Sequence, residues 1–178
     1  MVYNYIMILA IFVDIILSGK AINGYAINAA LYVIVLVCLG FIAYIDHRTM
    51  EIPDSLNIAI AICGVIAIFI DPNIALREHL IGFVIAAVPL FLIALFIEGA
   101  FGFGDVKLMA AAGLFLGWRH ILVALFIGVI IGGVYGAVLL ITKKKSSKDH
   151  FAFGPALCAG IVTAMFFGDD VLSLYLNF

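Results

Sequence analysis

Two aspartates stand inside a chain that otherwise keeps charge out of its long runs. Asp46 ends the charge-free run 22–45 and opens "DHRTMEIPDSLN", and Asp105 follows Gly102-Phe103-Gly104 in "EGAFGFGDVKLM". Two carboxyls brought together can hydrolyse a peptide. One acts as general base on a water, and the other, protonated, donates to the scissile carbonyl. Close carboxyls do not both ionise cheaply, so they share a proton and titrate as a pair. Each residue also has a plain reading, Asp46 as a marker of the water interface and Asp105 as an N-cap for unpaired helix N–H groups. The glycines before Asp105 would permit positive φ and close approach of an extended substrate backbone.

The elements that must position this pair follow from composition. Of 178 residues, 67% are hydrophobic and 11% charged, against about 45–50% and about 25% in ordinary soluble domains. The chain therefore reads as all-α, a polytopic transmembrane helical bundle of about 6–7 helices forming a single membrane-embedded domain over 1–178. Lipid-exposed backbone must satisfy its own hydrogen bonds, which excludes open sheets. The net charge of -2 and the lack of a basic face argue against nucleic acid as a partner. Cys38, Cys63 and Cys158 lie in apolar runs without CxxC or Cys/His spacing, so no metal is expected and they read as small hydrophobes. The opening "MVYNYIMILAIFVDIILSG" lacks a basic start and a small-residue cleavage site and reads as a retained first helix.

Apolar runs at 3–18, 22–45, 55–70, 80–97, 106–118, 121–142 and 151–168 suggest seven spans, since about 20 apolar helical residues cross a bilayer. With the N-terminus inside, Arg48, Lys107, Lys143, Lys144, Lys145 and Lys148 fall on the cytoplasmic side, against Lys20, Arg77 and Arg119 outside. The positive-inside rule favours that orientation, which puts Asp46 and Asp105 on the cytoplasmic side. Lys143–Lys148 then reads as a topological anchor near anionic headgroups, and Trp118-Arg119-His120 as an interfacial belt. Gly128, Gly132 and Gly136 recur at four-residue spacing, a small-residue face read as helix packing, with a homo-oligomer contact as the lesser alternative. Pro89 and Pro155 are tolerable in membrane helices.

Asp54, Asp71, Glu78, Asp149, Asp169 and Asp170 fall in expected loops or edges, and Glu51 in the polar loop after the second helix. Asp14, Asp46, Glu98 and Asp105 remain. Asp14 reads as a polar contact between helices, and His47 as an interfacial histidine. A helix C-terminus disfavours a carboxylate and an N-terminus favours one, so Asp105 is expected to be the ionised base and Asp46 the protonated partner.

"GFGD" (Gly102–Asp105) fits a GxGD signature, and "EGAFGFGDVKLMAAAGLFLGW" resembles the corresponding stretch of type IV prepilin peptidases. "IDHRTMEIPDSLN" resembles the segment carrying that family's other catalytic aspartate, and "FAFGPALCAG" its Phe-Gly-Pro motif; together the likeness covers roughly 30–165. The resemblance implies an intramembrane aspartyl endopeptidase at the cytoplasmic face of the cell membrane, without cofactor or metal. Its substrates would be prepilin, pseudopilin or preflagellin precursors, cut between a short basic leader and an apolar helix. Asp46 and Asp105 would be catalytic, Gly102 and Gly104 would shape the active-site turn, and Glu98, Lys107, Pro53 and Asp54 would support substrate or structure. Glu51, Asp54 and Glu98 are the candidates to meet the basic leader. Many bacterial members add a region with two CxxC pairs and methylate the new N-terminus; this sequence carries no such pairs and resembles a peptidase-only member.

Rival chemistries have less support. There is no HExxH for a zinc protease, and Ser18, Ser55 and Ser173 lack a glycine-framed serine motif. A presenilin-like GxGD protease would usually have tyrosine directly before its first aspartate, whereas Ile45 separates Tyr44 from Asp46. A small proton-coupled transporter could use Asp14, Asp46 and Asp105 as a relay, but no similarity between the two halves supports it.

Overall fold

The computed structural model describes residues 22–70, 74–96, 101–142 and 152–176, all in helices or the short turns between them. Six helices are assigned there: α1 (Ile22–Thr49), α2 (Asp54–Ile70), α3 (Leu76–Ile85), α4 (Ala87–Phe96), α5 (Phe103–Ile141) and α6 (Gly154–Leu176). Four stretches, Ala26–Thr49, Leu76–Phe96, Phe103–Leu139 and Gly154–Leu174, are long and apolar enough to cross a membrane, and α2 is a shorter apolar helix. The expected first helix at 3–18, with Asp14, lies outside the described residues, as do Glu98 and Lys143–Lys148.

Several boundaries differ from the sequence-based expectation, each for a local reason. The run at 80–97 is two helices broken at Ala86. Pro89 has no N–H to offer the carbonyl four residues back, and its ring crowds that turn. The runs at 106–118 and 121–142 are the two limbs of α5, and the break between them falls at Gly117 rather than at 119–120; its φ of 77° and ψ of 171° only glycine adopts readily. The chain folds back there. A Cβ on Gly113 would lie 3.3 Å from Ile121 Cγ1, whereas a straight helix would separate those positions by about 12 Å along its axis. The last helix begins at Gly154 rather than 151, with Pro155 in its first turn where a missing N–H costs nothing. It runs on past 168, so Asp169 and Asp170 are helical residues with exposed side chains, not loop residues.

Contacts along the helices give their directions. Asp54 pairs with Lys107, and Gly64 faces Leu114 and Phe115, so α2 runs parallel to 103–116. α3 and α4 run the opposite way: His79 Nδ1 lies 2.7 Å from the Leu114 carbonyl, while Phe91 meets Phe103. Residues 118–141 lie antiparallel to α6, with His120 at Gly168, Ala124 at Gly160 and Gly128 at Leu157. Gly82 and Gly113 face each other so closely that a Cβ on either would collide with the other's backbone. The core between these helices is formed by Val35, Ile42, Ile60, Leu108, Leu157 and Ile161, among others. The outcome is a bundle that brings the end of α1 and the starts of α2, α5 and α6 together at one end.

The glycine stripe is used within the chain. A Cβ on Gly128 would press on Leu157, and one on Gly132 would overlap the Phe153 ring. Both positions are covered by the same molecule, Gly128 by α6 and Gly132 by the residue before it, so they are not an open oligomer face, and the packing reading holds for them. At the opposite end, Arg119 lies over the Trp118 ring and His120 Nε2 is 3.1 Å from Asp169 Oδ1.

Candidate active site

Asp46 lies in the last turn of α1, which runs to Thr49, four residues past the end of the apolar run. Met50 ends that helix: its N–H donates to the Asp46 carbonyl at 2.9 Å, and its φ of 57° is left-handed. That conformation normally belongs to glycine at a helix C-terminus. Glu51 and Ile52 then lead to Pro53, whose carbonyl accepts the N–H groups of Leu56 and Asn57 and starts α2. Asp54 is in the first turn of α2, where a carboxylate complements the helix N-terminus.

Asp105 is not an N-cap. Gly102 occupies the cap, its carbonyl accepting the Asp105 and Val106 N–H groups, and Asp105 is the third helical residue. Its Oδ2 reaches back to accept the Gly102 N–H at 3.0 Å, which is the side-chain half of a capping box. Asp46 Oδ2 accepts a different backbone donor, the Gly154 N–H, at 2.9 Å. Both aspartates are buried, 5% and 6% exposed. Each is thus held by one oxygen, and neither Oδ1 has a hydrogen-bond partner among the described residues.

A cavity of about 620 Å³ joins the two carboxylates. From the end of α1 and the start of α2 it is lined by Asp46, Met50, Glu51, Pro53 and Asp54; from the start of α5 by Gly102, Gly104 and Lys107; and Phe101 and Phe153 line it too. Their rings meet edge to face with centroids 4.9 Å apart. Every site residue expected from sequence lines this cavity except Glu98, which lies outside the described residues. Lys107 Nζ contacts both oxygens of Asp54, at 2.8 and 2.9 Å, and ties the start of α5 to the start of α2.

Two expectations about this site need correction. Among the described residues, Gly117 is the one glycine with positive φ, so Gly102 and Gly104 do not serve a left-handed turn. Gly104 serves close approach instead: a Cβ there would lie 2.9 Å from Ile52 Cβ. Gly102 has room, its nearest neighbour being Asp105 Oδ2 at 3.5 Å. The second correction concerns charge. Asp46 does lie at the C-terminal end of α1, but its carboxylate also faces the N-terminus of α6. Both aspartates accept an N–H at a helix start, so helix position alone does not separate acid from base.

Sequence reasoning passed over Asn57 and Gly154. Asn57 is buried in the first turn of α2, with Nδ2 3.5 Å from the Gly104 carbonyl. A lone amide opening an apolar run was its visible signal. Gly154 sat in the Phe-Gly-Pro segment, but no role followed for it without the spatial contact to Asp46. His47 is exposed, in keeping with an interfacial histidine.

Residues 33–137, which include both aspartates, match the type IV leader peptidase family. The chain belongs to that family. It is similar to proteins named prepilin leader peptidase/N-methyltransferase in several bacteria. That of Bacillus subtilis (strain 168) is 31% identical over 145 residues, which is 82% of this chain and 58% of the relative. That of Legionella pneumophila is 32% identical over 157 residues, 84% of this chain and 53% of the relative. That of Aeromonas salmonicida (strain A449) is 26% identical over 185 residues, 98% of this chain and 61% of the relative. This leader peptidase family member therefore spans little more than half the length of these relatives. No solved structure matches it.

Proposed function

We propose that this chain is an aspartyl endopeptidase that cleaves the short basic leader from type IV prepilin-like precursors at the cytoplasmic face of the membrane. What supports this reading is the pair of buried carboxylates, Asp46 and Asp105, on one cavity, each tethered through Oδ2 and each with Oδ1 unpartnered among the described residues. In the proposed reaction one carboxylate takes a proton from a water held between the two Oδ1 atoms. The water oxygen attacks the scissile carbonyl while the other carboxyl donates its proton to the carbonyl oxygen. Collapse of the tetrahedral intermediate breaks the C–N bond: one hydroxyl returns a proton to the carboxylate that acted as acid, and the proton taken from water passes to the leaving amine.

The cavity's lining fits the two halves of such a substrate. Phe101, Phe103 and Phe153 offer an apolar wall to the substrate's helix. Glu51 and Asp54 bring carboxylates to the same cavity, and Asp54 is engaged by Lys107. Glu51 is the one we assign to the leader's basic side chains. The cytoplasmic orientation rests on the distribution of lysine and arginine, and peptidase activity without methyl transfer is the activity assigned to this span. Co-expression with candidate precursors tests the function. The mass of the product should show a new N-terminus at the leader junction, absent when either Asp46→Asn or Asp105→Asn replaces the parent.

A further inference from the structure

The two tethers on the aspartates differ in origin. Asp105 is held by Gly102, three residues away in its own helix start, and that contact forms wherever α5 forms. Asp46 is held by Gly154, from a helix far along the chain, in a buried contact. The placement of Asp46 therefore depends on how α6 docks. We propose that Gly154 is a positioning residue for the hydrolysis. Its N–H pins Oδ2 of Asp46 so that Oδ1 faces the cavity, and its lack of a side chain is what admits the carboxylate. This inference rests on the aspartyl reading given above.

Three observations carry it. First, Gly154 opens α6, and the first N–H groups of a helix have no acceptor within the helix. Its donor is free for Asp46, and Pro155 beside it supplies no competing N–H. Second, a Cβ at position 154 would lie 2.6 Å from Asp46 Oδ2 and 2.9 Å from Cγ, closer than side-chain carbons come to such atoms. Any other residue would push the carboxylate away or shift the helix. Third, the donor is itself held in place. Phe153 packs on Phe101 and over Gly132, and Leu157 packs on Gly128, so the start of α6 is seated on α5 on both sides of Gly154.

Two variants of the full chain in bilayers separate the donor from the space. Gly154→Ala adds the methyl group. Replacing Gly154 by glycolic acid turns its amide into an ester, which removes the N–H and adds no bulk. Gly160→Ala serves as a packing control on the same helix, because a Cβ there would collide with the Ala124 carbonyl, away from the carboxylates. Hydrogen bonds to charged groups contribute enough that kcat should fall roughly 10- to 100-fold in both position-154 variants. KM should change little, and one limb of the pH–rate profile should move by about half a unit or more. Gly160→Ala should lower the amount of folded enzyme while leaving the profile of the folded fraction in place. An ester variant with the parent's kcat and pH profile overturns the role of Gly154, provided Asp46→Asn is inactive. If Asp46→Asn cleaves like the parent, the aspartyl reading fails and this inference falls with it.

Discussion

Ile52 packs against Gly104 so closely that a Cβ on that glycine would lie 2.9 Å from the Ile52 Cβ. The contact presses the loop after α1 onto the start of α5, and with it the segment that carries Asp46 onto the one that carries Asp105. Gly102, two residues earlier, has ordinary room. The two glycines of the GxGD segment should therefore respond differently. Gly104→Ala is expected to lower kcat/KM at least about tenfold, because sub-ångström misplacement of reacting groups is costly. Gly102→Ala should stay within about threefold of the parent. Steady-state cleavage of a precursor peptide by the two variants checks this, and equal losses would remove close approach as the explanation.

Lys107 and Asp54 join the same two segments by charge. Both side chains are more than half exposed, so the pair should add no more than about 1 kcal/mol to stability. Its expected effect is on alignment. Asp54→Asn and Lys107→Met should each reduce cleavage several-fold, and the double variant should be no worse than the weaker single one. A double-mutant cycle on kcat/KM measures that coupling; additive losses would mean the two residues act separately.

Glu51 lines the cavity without a cation partner among the described residues. Glu51→Lys should raise KM for a precursor with a basic leader about tenfold and leave kcat nearly unchanged, as expected when ground-state binding alone is lost. A leader with its basic residues replaced by glutamate should recover part of the loss. KM values for the four enzyme–substrate pairs decide the point.

Two backbone positions give stability tests with opposite signs. Met50 holds φ 57° without being glycine, a conformation that costs an L-residue about 1 kcal/mol. Met50→Gly should therefore stabilise the fold by about 0.5–1 kcal/mol. Gly117 carries φ 77° and ψ 171°, and a Cβ there would meet Ile74 at 3.3 Å. Gly117→Ala should destabilise by about 2–3 kcal/mol. Thermal denaturation in detergent, on a common protein concentration, measures both shifts.

Much of the site was legible because charge is rare in this chain. Against long apolar runs, Asp46 and Asp105 stood out by their cost alone, and the loops that flank them carried the remaining signature residues. The end of the run 106–118 falls one residue past the turn itself. When both faces of a helix are apolar, no periodicity marks the residue at which one span ends, and only the backbone shows that Gly117 makes the turn. Asp169 and Asp170 suggest a loop or an edge because charge usually ends a buried helix; here α6 simply continues with both side chains exposed. For Gly104 the sequence suggests conformational freedom or room for a substrate backbone, whereas the group it makes room for is Ile52, a neighbour in space that spacing along the chain does not reveal. The same holds for Asp46: its own helix end was visible, and the helix start that faces it was not.

In the proposed reaction Asp46 and Asp105 act as one catalytic unit. The single-turnover rate of precursor cleavage by the purified parent, Asp46→Asn, Asp105→Asn and the double variant, in bilayers of one composition, tests this. General acid–base catalysis contributes about 10²–10⁴-fold, so each single variant should lose at least that much while still binding the precursor. The double variant should be no slower than the singles, as expected for residues that work together. Cleavage at near-parental rate by either single variant, with the same new N-terminus, would rule out a joint catalytic role for the two aspartates.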